Sequence, residues 1–211
     1  MGHVLKPIAR SYDRVMRGME EAGLTEWRAE LLAALSGKVL EIGAGTGRSL
    51  AMYPPAVTSL TLAEPDRHMR TQLRERVAGQ GRAADVIDAP AESLPFADAT
   101  FDAVVSSLVL CSVRNQAPVL GEVRRVLRPG GHFVFVEHVA AEDRPRRLKW
   151  QRRIEPLWRL LAGNCHLTRS TEEAITSAGF EVVAIERASL RGAPPFIRPS
   201  IRGSATPIGH R

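Results

Sequence analysis

The alternation of extended and helical segments is the sequence feature that most constrains how this chain can fold. Apolar runs such as 38–42, 101–106 and 132–136 are separated by segments with helical periodicity. Runs without polar interruptions are typical of strands covered on both faces, and strands that alternate with helices predict a parallel sheet. We therefore predict a single-domain, doubly wound, Rossmann-like α/β fold of about seven strands.

Each predicted element is placed by its apolar period and by its terminal residues. The predicted strands are 38–42, 59–63, 84–87, 101–106, 132–136, 180–185 and 196–202. The predicted helices are 11–23, 25–35, 66–80, 116–127, 147–161 and 170–178. We expect an N-terminal helical cap over 1–36, an α/β domain over 37–203 and a flexible tail over 204–211.

Local signals refine several helix ends. Thr25 is placed to cap the second helix, Pro156 to interrupt the basic helix inserted before the sixth strand, and Ser170 to begin a capping box. Tyr12 and Asp13 lie on the first helix, which we expect to close over a ligand at the sheet edge.

Composition sets the broad class of protein. A hydrophobic fraction of 44% and a charged fraction of 25% suit a packed globular domain, and no run approaches the ~18 apolar residues of a membrane span. The first ten residues are too polar for a secretory signal, so we expect a cytoplasmic protein. Cys111 and Cys165 match no zinc spacing, so we predict two reduced cysteines and no metal.

The net charge is +6, with basic residues concentrated in 144–153 and 187–211. Such a charge is typical of proteins that meet nucleic acid, anionic membranes or acidic ligands. An aromatic fraction of 5% offers few stacking platforms for bases, so we expect no nucleic-acid partner.

A glycine-rich loop follows the first predicted strand, in the sequence Glu41-Ile42-Gly43-Ala44-Gly45-Thr46-Gly47. We expect Gly43 to permit a tight turn, Gly45 to let a ligand touch the backbone and Gly47 to let the next helix pack closely. A dinucleotide loop would have its third glycine where Arg48 stands. The loop therefore favours a ligand with a nucleoside and an amino acid tail over one with a pyrophosphate.

Two further loops support this ligand class. Glu64 ends the second strand, just before Pro65. Its spacing along the chain from the glycine loop is that of an acidic residue that accepts hydrogen bonds from ribose hydroxyls. The segment 91–96 follows the third strand, where an adenine edge would lie. All three loops follow the carboxyl ends of strands, so they converge on one crevice.

These motifs resemble those of class I S-adenosylmethionine (SAM)-dependent methyltransferases. The resemblance rests on 41–47, 91–96, 101–105 and 127–131, and it spans about 38–138. It implies SAM as cofactor and S-adenosylhomocysteine as product. The candidate cofactor residues are Glu41, Gly43, Ala44, Gly45, Gly47, Glu64, Pro65, Ala91, Glu92 and Ser107, the last of these beside the methionine part.

A narrower resemblance is to the membrane-associated alkyl-thiol methyltransferases of animals, on segments 53–55, 108–116, 137–142 and 164–169. It implies S-methylation of a small thiol. The animal proteins carry a hydrophobic N-terminal anchor that this sequence does not show, so we expect weak membrane-surface association at most, through the basic helix 146–161. That helix is interpreted first as a lid over the substrate and second as an interfacial helix.

The candidate substrate pocket is Tyr12, Leu108, Cys111, His138 and Arg169. His138 is interpreted as a base or substrate contact, or as a hydrogen-bonded strand-end residue. Arg169 is expected to bind an anionic group, pair with a carboxylate, or belong to a helix end. Direct transfer needs no nucleophile from Cys111, and we assign no catalytic residue.

The same motifs leave other functions open. The leading alternative is N- or O-methylation of a lipid or quinone, and a further one is a SAM-binding module without turnover. The sequence does not indicate an oligomeric state.

Overall fold

The computed structural model describes the backbone of residues 6–209 and the side chains of residues 12–209. The strands are β1 Gly37–Ile42, β2 Val57–Ala63, β3 Asp85–Ile87, β4 Phe101–Ser107, β5 Leu127–His138, β6 Phe180–Ser189 and β7 Pro199–Pro207. The helices are α1 Lys6–Met19, α2 Thr25–Leu32, α3 Arg67–Gln80, α4 Gln116–Val126, α5 Pro145–Leu161 and α6 Thr171–Ser177.

The described strands form one sheet in the order β3-β2-β1-β4-β5-β7-β6, and this confirms the predicted doubly wound fold. The β1–β2, β1–β4, β2–β3 and β4–β5 pairs are parallel, whereas β7 is antiparallel to both β5 and β6. The strand order reverses between β1 and β4. Their carboxyl ends therefore flank the crevice where open α/β sheets bind ligands.

Two apolar layers cover the sheet. On one face, α4 and α6 contribute Leu120 and Ile175 to a core around Phe133 and Phe135 of β5. On the other face, Leu32 of α2 and Leu73 of α3 pack with β1 and β2. Because both faces are covered, the middle strands consist of buried apolar residues without polar alternation, as the sequence predicts.

Three local predictions are wrong at helix ends. The helix expected after the glycine loop is reduced to one 3-10 turn, Leu50–Met52. Tyr53 precedes Pro54 and therefore takes an extended conformation, which ends the turn. Thr25 follows the helical Leu24 just after a kink at Gly23, and its hydroxyl donates to Glu20 rather than capping α2. Ser170 makes no cap either, because its hydroxyl donates to Glu142.

Two longer-range expectations also need correction. Pro156 does not interrupt α5, which runs on to Leu161, and Trp158 beyond the proline packs edge-on against Phe196 with ring centroids 5.1 Å apart. The expected loose tail contains ordered structure, since residues 204–207 pair with β6. The strand period was hidden there by Gly203 and by alternating small polar residues.

No helix in the described part of the chain is both long and apolar enough to cross a bilayer.

Two glycines provide a test of the β6–β7 packing. A Cβ added at Gly203 would lie 2.1 Å from the backbone oxygen of Ala184, whereas one at exposed Gly121 in α4 would meet nothing within 4 Å. We predict that Gly203→Ala lowers the free energy of unfolding by about 1–3 kcal/mol through overpacking. Gly121→Ala should raise it by about 0.5–1 kcal/mol through helix propensity.

Urea denaturation of the two variants measures both effects. Equal stabilities for the Gly203 and Gly121 variants would contradict the close β6–β7 contact.

Candidate active site

The glycine loop has one open position between two tightly packed ones. Gly43, Gly45 and Gly47 have φ angles of 58°, 57° and 80°, which disfavour other residues. A Cβ at Gly43 would lie 2.7 Å from Val109, and one at Gly47 would lie 2.5 Å from Leu73. At Gly45 the nearest atom would be 4.0 Å away. The outer glycines therefore seat the loop, and Gly45 leaves space beside its backbone.

Glu64 ties this loop to the end of β2. Its side chain is buried, and its two oxygens accept from the Gly45 and Asp66 amides, each at 2.8 Å. Burial raises the pKa of Glu64 to about 7, although both amide donors act in the opposite direction. A carboxylate has about four lone-pair sites, so the two amide bonds leave capacity for hydroxyl donors.

Glu41 lies inside the protein, away from the crevice. It is 3% exposed and accepts from the Ser49 hydroxyl at 2.9 Å and the Tyr53 hydroxyl at 2.8 Å. Burial raises its pKa. Both of its oxygens are engaged below the loop, so Glu41 supports the loop from underneath instead of facing a ligand. Ala44 is also buried, and its amide donates to Ala63 at 3.1 Å.

The third loop lies next to β3. Ala91 is buried, and the Leu94 amide donates to Glu122 at 2.7 Å, which fixes the loop to α4. Both carboxylate oxygens of Glu92 are buried without a hydrogen-bond partner among the described residues. A buried polar group in that condition is costly, so a donor from a bound molecule would stabilise it. Pro65, half-buried, lies between Glu64 and the Asp66 cap of α3.

The N-terminal helices reach this crevice through two charged residues, of which the sequence singled out Asp13 but not Arg28. Arg28 of α2 donates to the Ser107 hydroxyl at 2.8 Å and pairs with Glu20 at 2.6 Å, and both charged side chains are buried. Asp13 of α1 accepts from the Thr46 hydroxyl at 2.7 Å and pairs with Arg76 at 2.7 Å. These contacts hold α1 and α2 over the glycine loop, as expected for Asp13.

Glu137 organises the loop after β4, a role that sequence reasoning missed. Its buried carboxylate accepts from the Ser106 hydroxyl at 2.7 Å and from the amides of Val109 and Leu110 at 3.0 and 3.1 Å. Burial raises its pKa. Its position next to His138 at the end of a central strand was the available signal.

Tyr12 and Leu108 meet in an apolar cluster above β5, which we call the cap cluster. Its buried members are Met16, Met19, Leu24, Val136, Leu167, Leu190, Ala193 and Ile197, and Trp158 and Phe196 also pack against it. Leu108 follows Ser107 directly and has a φ of 59°, a strained conformation for leucine that is common near functional sites. Burial raises the pKa of Tyr12 to about 12, so its hydroxyl remains protonated.

Among the described residues, Arg169 forms no ion pair with a carboxylate. Its guanidinium donates to the backbone carbonyls of Leu110, Val113 and Arg114. The fork of donors on arginine matches a set of converging carbonyls, so Arg169 holds the 110–114 loop in place.

His138 is buried at the end of β5, and Cys111 and Cys165 lie beside it. The Cys165 sulfur is 3.1 Å from His138 Nε2, and the Cys111 sulfur is 3.5 Å from the Leu108 carbonyl oxygen. Burial lowers the pKa of His138 to about 4, so the imidazole is neutral near pH 7. General bases work best with a pKa near the working pH, so this environment does not favour His138 as a base.

Comparisons with known proteins agree with this geometry. A methyltransferase-domain family model matches residues 40–135. The chain is 38% identical to thiol S-methyltransferase TMT1A of Homo sapiens, over 82% of this chain and 72% of that protein. It is 39% identical to thiol S-methyltransferase TMT1B of Homo sapiens, over 82% and 73%.

A solved SAM-dependent methyltransferase from Thermotoga maritima has the same fold. Its TM-score is 0.70 at 21% identity, covering 95% of this chain and 96% of that one. The chain thus belongs to the class I SAM-dependent methyltransferases with a type 11 domain, in the family that includes these thiol S-methyltransferases.

Proposed function

We propose that this enzyme transfers the methyl group of SAM directly to the sulfur of a small thiol. The observation that carries the proposal is its similarity to two thiol S-methyltransferases along most of the chain. The apolar cap cluster supports it, because it places the Tyr12 ring and the Leu108 side chain close to the end of β4. A small alkyl thiol would match such a lining.

We propose the following cofactor contacts. The open space at Gly45 admits the nucleoside, and Glu64 accepts from the ribose hydroxyls. Ala91 and the unpartnered Glu92 carboxylate lie beside adenine, whose amino group is a suitable donor. Ser107 faces the methionine part, where Arg28 brings a positive charge to the carboxylate. Gly43, Gly47, Ala44 and Pro65 shape the site through the backbone, and Glu41 supports it from below.

SAM supplies a methyl group on a positively charged sulfonium. The chain must then align the acceptor sulfur with that methyl group, and alignment is an entropic contribution. A free thiol has a pKa of about 8.5, so a few per cent is thiolate at neutral pH. The thiolate, its proton having gone to solvent, would form the new carbon–sulfur bond with its electron pair while the bond between the methyl carbon and the sulfonium sulfur breaks. The electron pair of the broken bond would stay on the sulfur of S-adenosylhomocysteine, and the other product would be a thioether.

Exclusion of water is the main task left to the protein. The reaction neutralises a thiolate and a sulfonium, so an apolar surrounding favours it. The cap cluster and the contacts of Asp13 and Arg28 hold α1 and α2 over the crevice. This arrangement would shield the reacting atoms without any group that must ionise during the transfer.

N- or O-methylation of a lipid or quinone is the alternative substrate class. An amine or hydroxyl acceptor needs a base, and His138 with a pKa of about 4 is poorly suited to that role. The thiol is therefore the better match to this site.

Turnover with a panel of acceptors tests the proposal. We predict that labelled methyl is transferred from SAM to an alkyl thiol, and not to a quinol, a phospholipid amine or bulk RNA. Gly45→Arg should reduce the rate at least ~100-fold, equivalent to about 2.7 kcal/mol, because the side chain fills the cofactor space. The matched control Gly79→Arg lies on the exposed end of α3 with nothing within 4 Å and should leave the rate unchanged.

Transfer to the quinol or the amine alone would contradict the thiol assignment. Binding of SAM without transfer to any acceptor would favour the non-catalytic alternative.

A second proposal concerns α5. The helical spacing of Ile154, Leu157, Trp158 and Leu161 predicts one shared apolar face, but of these four only Ile154 and Trp158 pack against the cap cluster. Leu157 is 61% exposed and Leu161 is 63% exposed. Trp150 and Leu160 are exposed as well, and five basic residues of the same helix surround this stripe, namely Arg146, Arg147, Lys149, Arg152 and Arg153. We propose weak peripheral binding of this face to anionic lipid.

Vesicle sedimentation tests this proposal. Leu157→Glu with Leu160→Glu should abolish binding to phosphatidylserine-containing vesicles, because it removes apolar area and adds negative charge. Val183→Glu, at an equally exposed valine of β6, is the matched control and should retain the binding. If both proteins bind equally, or if wild type does not bind, α5 is not a lipid contact.

A further inference from the structure

Cys111, His138 and Cys165 form a cluster that the proposed transfer does not use. Their ligand atoms, two sulfurs and one imidazole nitrogen, all lie within 4.8 Å of one another. Cys111 and His138 are 3% and 4% exposed, and Cys165 is half-buried. The cysteines are 54 positions apart in the chain, so their approach results from the fold alone.

Backbone hydrogen bonds or strand pairing hold each of the three residues in a different part of the fold. The Cys111 amide donates to Glu137 at 3.3 Å, and its carbonyl accepts from the His166 amide at 2.8 Å. His138 ends β5, where it pairs with Ser200 of β7. The Cys165 amide donates to Ala162 at the end of α5. The loop after β4, the end of β5 and the loop after α5 therefore present three side chains to one point.

The donor set and spacing are those of a soft cation site. Two thiolates and an imidazole suit zinc, and in a tetrahedral zinc site with bonds of about 2.0–2.3 Å neighbouring ligand atoms are about 3.5–3.8 Å apart. The observed 3.1 Å between Cys165 and His138 and the 4.8 Å limit for the cluster bracket these values. Shifts of about 1 Å in the side chains would close the set around an ion.

The His138 ring makes no strong hydrogen bond within the described part of the chain. Its Nε2 faces Cys165, while Nδ1 is buried without a hydrogen-bond partner in the described part of the chain. A buried ring with an unsatisfied nitrogen and only a weak sulfur contact on the other side costs stability. A bond from Nε2 to a cation would replace the weak sulfur contact and place the ring proton on Nδ1.

We propose that Cys111, Cys165 and His138 bind one zinc-like divalent cation, whose fourth position receives the sulfur of the substrate thiol. Three protein ligands with one open position are the pattern of zinc sites that bind reactants. The cluster lies next to the proposed pocket, because the Cys111 sulfur lies 3.5 Å from the carbonyl oxygen of Leu108. The thiol would release its proton to solvent on binding the ion. The assignment of the fourth position to the substrate sulfur rests on the proposed thiol methylation.

Cobalt substitution of the full chain under reducing conditions tests the site without any turnover. We expect one Co²⁺ per chain, with the near-ultraviolet sulfur-to-cobalt band and the intense visible bands of a tetrahedral ion. Cys165→Ser and His138→Ala should each lose stoichiometric binding. His132→Ala, at an exposed histidine of β5, is the matched control and should retain it. Circular dichroism and SAM affinity establish that each variant is folded.

Two results would overturn the metal site: the reduced wild-type chain binds no cobalt, or Cys165→Ser and His138→Ala bind it as well as wild type does. Addition of an alkyl thiol to the cobalt protein tests the open position. We expect the sulfur-to-cobalt band to shift. An unchanged spectrum with the ion bound would overturn the binding of the substrate sulfur at the fourth position. Failure of thiol methylation leaves the cobalt spectrum unaffected, so the two proposals fail separately.

Discussion

The contact between the Glu64 carboxylate and the Gly45 amide is the interaction on which the candidate site depends. It joins the end of β2 to the loop after β1, across the point where ligands bind in this fold. The backbone amide of Asp66 donates to the other Glu64 oxygen, so the same carboxylate also fixes the start of α3. A single buried side chain thereby sets the positions of three elements before any ligand arrives.

Two further buried carboxylates act in the same way at neighbouring loops. Glu41 accepts hydrogen bonds from the hydroxyls of Ser49 and Tyr53 beneath the glycine loop. Glu137 accepts hydrogen bonds from backbone amides after β4. Burial raises the pKa of both groups, which means that the fold disfavours their charge. The donors offset part of that cost and leave the loops rigid, as a site that acts mainly by alignment requires.

Local patterns in the sequence were enough to predict the sheet, the glycine loop and the acidic residue after β2, because period and turn chemistry act over a few residues. They were insufficient where distant residues decide the outcome. Arg169 binds carbonyls 55 to 59 positions away, and the Cys111–His138–Cys165 cluster exists only after β4, β5 and α5 are packed. The strand at 204–207 likewise depends on pairing with β6 and not on its own composition.

Calorimetric titration of SAM at several pH values tests the central role of Glu64. Ribose hydroxyls donate to the ionised carboxylate, and burial places the pKa of Glu64 at about 7. The ionised fraction falls about tenfold per pH unit below that value, so the dissociation constant should rise steadily between about pH 8 and about pH 5.5. Glu64→Gln should bind more weakly and without this dependence. Wild-type affinity that is constant across the range, or a Gln variant with the same pH profile, would contradict the account.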